Sequence, residues 1–282
     1  MSTRSSRPCA LLADTNDITA LARSVLATGD PVAKTERAHE VAQHWRAGES
    51  AVPETAPAPD DQPARPAHPV LVAPGDVPRR RLNTVPGRIA LLHAVAHIEF
   101  NAIDLAFDMV ARFACDMALA PDARQSFIDD WISVGDDEAR HFRLITDRLA
   151  ELDARYGDLP AHSGLWDAAM ATRDSLPARL AVAPLVLEAR GLDVTPGMIN
   201  RLVSAGDTIS ADCLRVIYAE EVGHVAAGAR WFRHVAARAG RDPADWFKTL
   251  VRHHFSSGLK PPFNAEARLR ADLPPEFYQD LT

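Results

Sequence analysis

Cysteine is scarce in this chain. There are three, Cys9, Cys115 and Cys213, far apart and none in a C-x-x-C pair. That spacing excludes a disulfide framework and a zinc ribbon, and it suits a reducing compartment such as the cytoplasm. A run of about 18 apolar residues is also missing, so no membrane span is expected. The short apolar patch near the N-terminus meets Asp14 and Asp17 at once, which does not read as a signal peptide. Basic charge is not in excess: the formal net charge is −7, which argues against a nucleic-acid footprint. Strand signals are nearly absent, because alternation never persists and β-branched runs are short.

What is present is helical periodicity. Residues 16–49 read as two short helices, the first capped by Asp17 and the second following Pro31. They form an N-terminal helical extension over 1–50. A proline-rich connector follows over 51–84. From Val85 the chain is helical in pattern, with long helices expected over 86–118, 122–156, 176–190 and 206–239. A short helix over 196–204 is expected between the last two. Gly191 is the expected stop of the third long helix, and Pro196 the start of the short one. The fold class is all-α, with a four-helix bundle over 85–240. A C-terminal helix and extended tail over 241–282 would pack on it.

Each long helix has an apolar stripe, and each stripe contains an acid. Glu99 lies among Leu92, Val95, Ala96, Ile103 and Val110. Glu138 and His141 lie among Trp131, Val134, Phe142 and Ile145. Glu188 follows Ala181 and Leu185. Glu221 and His224 lie among Leu214, Ile217, Val225 and Trp231. A buried, uncompensated carboxylate costs several kcal/mol, and four facing one core would repel each other. No Lys or Arg occupies these stripes, so a pair of metal ions is the expected counter-charge. Spacing of i, i+3 puts Glu138 with His141, and Glu221 with His224, on one helix face. One Glu from each of two helices and Glu-x-x-His from each of the other two is the ligand pattern of di-iron and di-manganese carboxylate bundles. Carboxylate and imidazole without thiolate suit iron or manganese. A single Glu-x-x-His is common on solvated helix faces; two, each in an apolar stripe and each alternating with a lone stripe glutamate, are not.

Asp137-Glu138-Ala139-Arg140-His141 is similar to the (D/E)-E-x-R-H form of the ferritin-like di-iron superfamily. Glu220-Glu221-Val222-Gly223-His224 matches it except at Gly223. More narrowly, HAVAHIEFNAIDLA (93–106), LEARGLDVTPG (187–197) and LKPPFNAEAR (259–268) resemble the DUF455 family of bacterial ferritin-like proteins, from about Arg79 to the end. The resemblance implies a ferritin-like fold and a metal site, but names no substrate.

Accessory residues follow from chemistry. A ligating His donates its other N–H to a carboxylate or carbonyl; Asp137 and Glu220 can serve the opposite helix's His, and Asp104 and Asp193 are further candidates. Tyr218, one turn before Glu221, can hydrogen-bond near the metals. His93 and His97, spaced i, i+4, either touch the site or pack between helices. Cys115 and Cys213 read as small core residues, and His253 and His254 as surface or tail-packing residues. The favoured function is an O2-activating di-iron oxidoreductase or hydroxylase. It would act on a small substrate with an electron donor, as a monomer or homodimer, with manganese or mixed Mn/Fe as alternative metals. The alternatives are a ferritin-type iron-oxidising protein and a non-catalytic, partner-binding bundle.

Overall fold

Local capping chemistry starts most of the helices. In the computed structural model, residues 15–77, 81–255 and 257–281 are described; Cys9 and the N-terminal apolar patch lie outside them. Helix α1 (Ile18–Leu26) begins at Asp17, whose carboxylate accepts from the Thr19 and Ala20 amides at 2.8 and 3.3 Å. Helix α2 (Pro31–Arg46) is capped by Asp30, which accepts from Ala33 N at 2.9 Å. Its first residue is Pro31, where a missing N–H costs nothing. Among the described residues the chain is all helical, with only isolated bridges, Asp17 to Ala51 and Leu71 to Ala161, instead of strands.

Helices α3 (Val85–Phe113) and α4 (Arg124–Glu151) run antiparallel. Phe100 meets Phe142 at 5.4 Å between ring centroids, and Phe107 meets Gly135. A Cβ on Gly135 would come within 2.6 Å of the Phe107 ring, so only glycine permits this approach. Both helices stop earlier than periodicity suggests. Asp116 takes the Ala118 amide at 2.7 Å in a tight turn, and Asp153, with φ 56°, turns the chain after α4. Tyr156 therefore folds back onto α3, 5.5 Å from the His93 ring. A short helix, α5 (Gly164–Met170), follows.

The third long segment differs from the sequence expectation. Helix α6 (Leu176–Val182), a π-helical turn (Ala183–Glu188) and α7 (Ala189–Ser204) are continuous. Gly191 does not stop it, and Pro196 sits inside α7. Pro196 removes the amide that would donate to the Leu192 carbonyl, and Asn264 Nδ2 donates to that oxygen at 3.2 Å instead. Pro184 has the same defect. A π turn follows it, with the Ala189 amide donating to the Pro184 carbonyl five residues back.

Helix α8 (Thr208–Arg238) runs antiparallel both to this segment and to α4. Pro184 packs on Gly228, Arg148 pairs with Asp207 at 3.0 Å, and Trp231 donates to Asp130 at 2.6 Å. Helices α9 (Pro243–His254) and α10 (Ala265–Arg270) close the chain. A continuous apolar core runs from Ile18 to Leu281, so α1 and α2 share it with the long helices. Among the described residues α3 alone is long and apolar enough to cross a membrane; 72% of its most apolar window is buried inside the protein.

Candidate metal centre

The α3–α4 pair and the α7–α8 pair meet along α4 and α8, and their stripe acids meet there. Ligand-type atoms of Glu99, Glu138, His141 and Glu221 all lie within 4.8 Å of one another. Glu138, fully buried, is central. Its Oε2 is 3.2 Å from His141 Nδ1, and its Oε1 is 3.0 Å from His224 Nδ1. His141 Nδ1 is also 3.5 Å from Glu99 Oε2, and His224 Nδ1 is 3.8 Å from Glu221 Oε1. Glu188, the last residue of the π turn, lines the same cavity as Glu99, Glu138 and Glu221.

Several of these atoms are buried without a hydrogen-bond partner: Glu99 Oε2, Glu138 Oε1, Glu188 Oε2 and His224 Nδ1. Glu138 Oε1 and His224 Nδ1 are close, yet not aligned for a hydrogen bond. An orphaned buried acceptor costs about 1–3 kcal/mol and more when charged. Four orphans in one cluster, all lone-pair donors of the hard or borderline kind, fit one or more cations. The titration pattern agrees. Burial, then the Glu138 charge, pushes the Glu99 carboxyl up to about 8 and that of Glu188 to about 7. Glu221 is raised well above its usual range for the same two reasons. Burial opposes ionisation of Glu138 too, but His224 and His141 hold it below the usual carboxylate range. Burial likewise opposes protonation of His141, but Glu138 and Glu99 raise it to about 11; His224 is raised in the same way, mainly by Glu138. The cluster gathers positive charge wherever it can.

Each histidine is held from behind by the other helix. Glu220 Oε2 on α8 is 2.6 Å from His141 Nε2, and Asp137 Oδ2 on α4 is 3.3 Å from His224 Nε2. Arg140 ties the two carboxylates together, with Nη2 at 2.8 Å from Asp137 Oδ1 and from Glu220 Oε2. With Nε2 engaged outward, Nδ1 of each ring faces the cluster.

Other candidates sit elsewhere. Asp104 is not beside a metal-site histidine; it pairs with Lys34, and with Arg65 at 2.9 Å. Asp193 pairs with Arg268 at 2.7 Å and accepts the Asn264 amide at 2.9 Å. Tyr218 accepts from Asn264 Nδ2 at 3.0 Å. His93 Nε2 accepts the Gly157 amide at 2.9 Å, and His97 joins the Tyr156 hydroxyl at 2.8 Å and the His162 carbonyl at 3.1 Å. Both histidines pack between elements, and burial lowers the His97 pKa to about 4. Cys213 is buried, and half-buried Cys115 donates to the Pro53 carbonyl.

The cluster opens onto a cavity of about 280 Å³ that its four glutamates line together with mostly apolar side chains of α3, α5, α7 and α8. Periodicity reveals the acids but not this space, which depends on where α5 and α7 dock.

No solved structure matches the chain. A Haemophilus influenzae protein described as uncharacterized is 39% identical over 212 residues, covering 75% of this chain and 74% of that protein. The model of a family described as "Protein of unknown function (DUF455)" matches residues 27–279, so the chain belongs to the DUF455 family.

Proposed function

We propose that this is a ferritin-like di-metal carboxylate protein, with iron as its metal, that works as an O2-activating oxidoreductase on a small molecule. The observation that carries the reading is the convergence of buried, unpartnered carboxylate oxygens with two outward-tethered histidines, beside a mostly apolar cavity that the glutamates line. Glu138, whose two oxygens face different histidines, would be shared between two ions. Glu99 and His141 would hold one, and Glu188, Glu221 and His224 the other. Iron(II) ions held there would supply electrons to reduce O2 and the oxidising power to attack a C–H bond. The chain's own part is distinct. Asp137 and Glu220 fix the imidazole orientation, Arg140 keeps those two carboxylates in register, and the apolar walls exclude water from the reacting groups.

The test is anaerobic loading with iron(II) followed by metal analysis and O2 uptake. The wild-type protein should take two irons per chain and consume O2 faster than the same iron(II) in buffer. Glu138→Ala should lose both ions. Two irons retained in that variant would overturn the shared-ligand role, and no uptake of iron or manganese by the wild type would overturn the di-metal reading. Light scattering at the size of a monomer or dimer, not a cage, is expected alongside.

A further inference from the structure

The cavity at the carboxylate cluster carries information about what enters it. Val95 and Ala102 of α3 and Leu214 and Ile217 of α8 form the buried part of its lining. Ile98 of α3, Leu165 of α5 and Met198 of α7 form a less buried part. Ile98 leaves 47% of its surface exposed there, an apolar side chain where a polar one would be well solvated. Beyond the glutamates, the polar side chains in the lining are Arg190 and Thr195. Arg190 is anchored through Nη1, which donates to the Lys260 and Pro262 carbonyls at 2.6 and 3.1 Å and lies 3.5 Å from Asp193. The lining is thus apolar apart from the carboxylate cluster, Arg190 and Thr195.

Resting on the reading of the cluster as a metal centre, we infer that this cavity admits a largely apolar substrate of roughly eleven carbon-sized atoms. It enters between α3, α5 and α7 and presents one end to the glutamates. The size follows from volume. An apolar cavity of about 150 Å³ takes one benzene, roughly 25 Å³ per carbon, and this cavity holds about 280 Å³. Thr195 can meet one neutral polar group, such as a hydroxyl.

Gly191 on α7 and Ala102 on α3, both in the lining, allow the cavity to be narrowed. A Cβ at Gly191 meets nothing within 4 Å, so Gly191→Phe adds bulk without backbone strain; Ala102→Leu adds bulk from α3. The experiment is calorimetric titration of full-length protein, metal-free and manganese(II)-loaded, with linear primary alcohols from butanol to hexadecanol. Metal content and Tm are measured on the same samples. Affinity should rise roughly fourfold per methylene and level off near ten or eleven carbons. The two variants should weaken decanol at least tenfold while metal content and Tm stay as in wild type. Absence of chain-length dependence, or wild-type decanol affinity in both variants, would overturn the inference. Two bound metals with no alcohol binding would overturn it while leaving the metal centre intact. Length-dependent alcohol binding in protein that takes no metal would support the ligand class and sink the di-metal reading.

Discussion

Glu220 and Glu221 are sequence neighbours with opposite duties, and the contrast can be measured. Glu220 faces the rear of His141 at 2.6 Å, whereas Glu221 faces the cluster with ligand-type atoms within 4.8 Å of the other donors. Glu220→Gln keeps an oxygen acceptor, so metal stoichiometry should persist with affinity weaker by on the order of 10–100-fold. Glu221→Gln should lose metal outright; equal losses in the two variants, by metal titration, would reverse the assignment. The raised pKa values make a second prediction. Glu99 moves from 4.5 to about 8 and Glu188 from 4.5 to about 7, while His141 moves from 6.5 to about 11. Proton-linked stability from such groups is complete below the unfolded value and lost as pH rises through the folded one. Glu138, held low, is ionised in both states above about pH 5 and adds no slope there. The Tm of metal-free protein should therefore fall from about pH 6 to 9, and bound metal should flatten the decline. A metal-free Tm that rises across that window, by scanning fluorimetry, would contradict the charge assignment. Glu99, Glu138, His141, Glu188, Glu221 and His224 stand out in the sequence because each lies inside an apolar stripe. Asp104 was a further candidate to back a ligating histidine; its actual partners, Lys34 and Arg65, come from distant segments that no local spacing reveals.

At the level of elements, the capped helix starts could be read from single residues, as Asp17 before α1 and Pro31 opening α2 show. The third long helix could not. Gly191 and Pro196 are ordinary helix punctuation, but here tertiary contacts override it, since Asn264 replaces the hydrogen bond that Pro196 deletes. The π turn was equally hidden; within it Pro184 seats against Gly228 of α8, a contact between distant segments. Its consequence is local, since the turn ends at Glu188 and so sets that carboxylate's position. A Cβ at Gly228 would stand 2.4 Å from Pro184 Cβ and 2.6 Å from its Cγ, against a ring that cannot rotate away. Gly228→Ala should thus destabilise by about 1–3 kcal/mol through overpacking and weaken metal binding by shifting Glu188. Gly223→Ala, one turn away and facing open space, is the control and should do neither. Urea midpoints and metal titrations on both variants test this; a neutral Gly228→Ala would mean that the π turn does not depend on close helix approach.

Across the whole molecule, buried charge joins segments that the composition would separate. The connector and the N-terminal helices are fastened to α3 and α4 by Trp45 donating to Asp129 at 2.7 Å, Arg46 pairing with Asp136 at 2.6 Å, and the triad of Lys34, Arg65 and Asp104. In that triad Asp104 is fully buried, with Lys34 on one oxygen and Arg65 on the other. Burial lowers the Lys34 pKa and raises that of Asp104, each opposed by its partner. The arithmetic of charge makes the two partners unequal. Lys34→Met leaves Arg65 opposite Asp104, a balanced pair, and should destabilise by about 1–3 kcal/mol through one lost hydrogen bond to a charged group. Asp104→Asn leaves two cations facing a neutral amide, and removing the compensating partner of a buried pair costs about 3–5 kcal/mol. Urea unfolding followed by tryptophan fluorescence reads both, since Trp45 on α2 and Trp131 on α4 report from either side of the joint. The two regions share one core, so unfolding should be a single transition in the wild type, and Asp104→Asn should move its midpoint further than Lys34→Met. The reverse order would show that Lys34, not the aspartate, is the group on which this junction's charge balance depends.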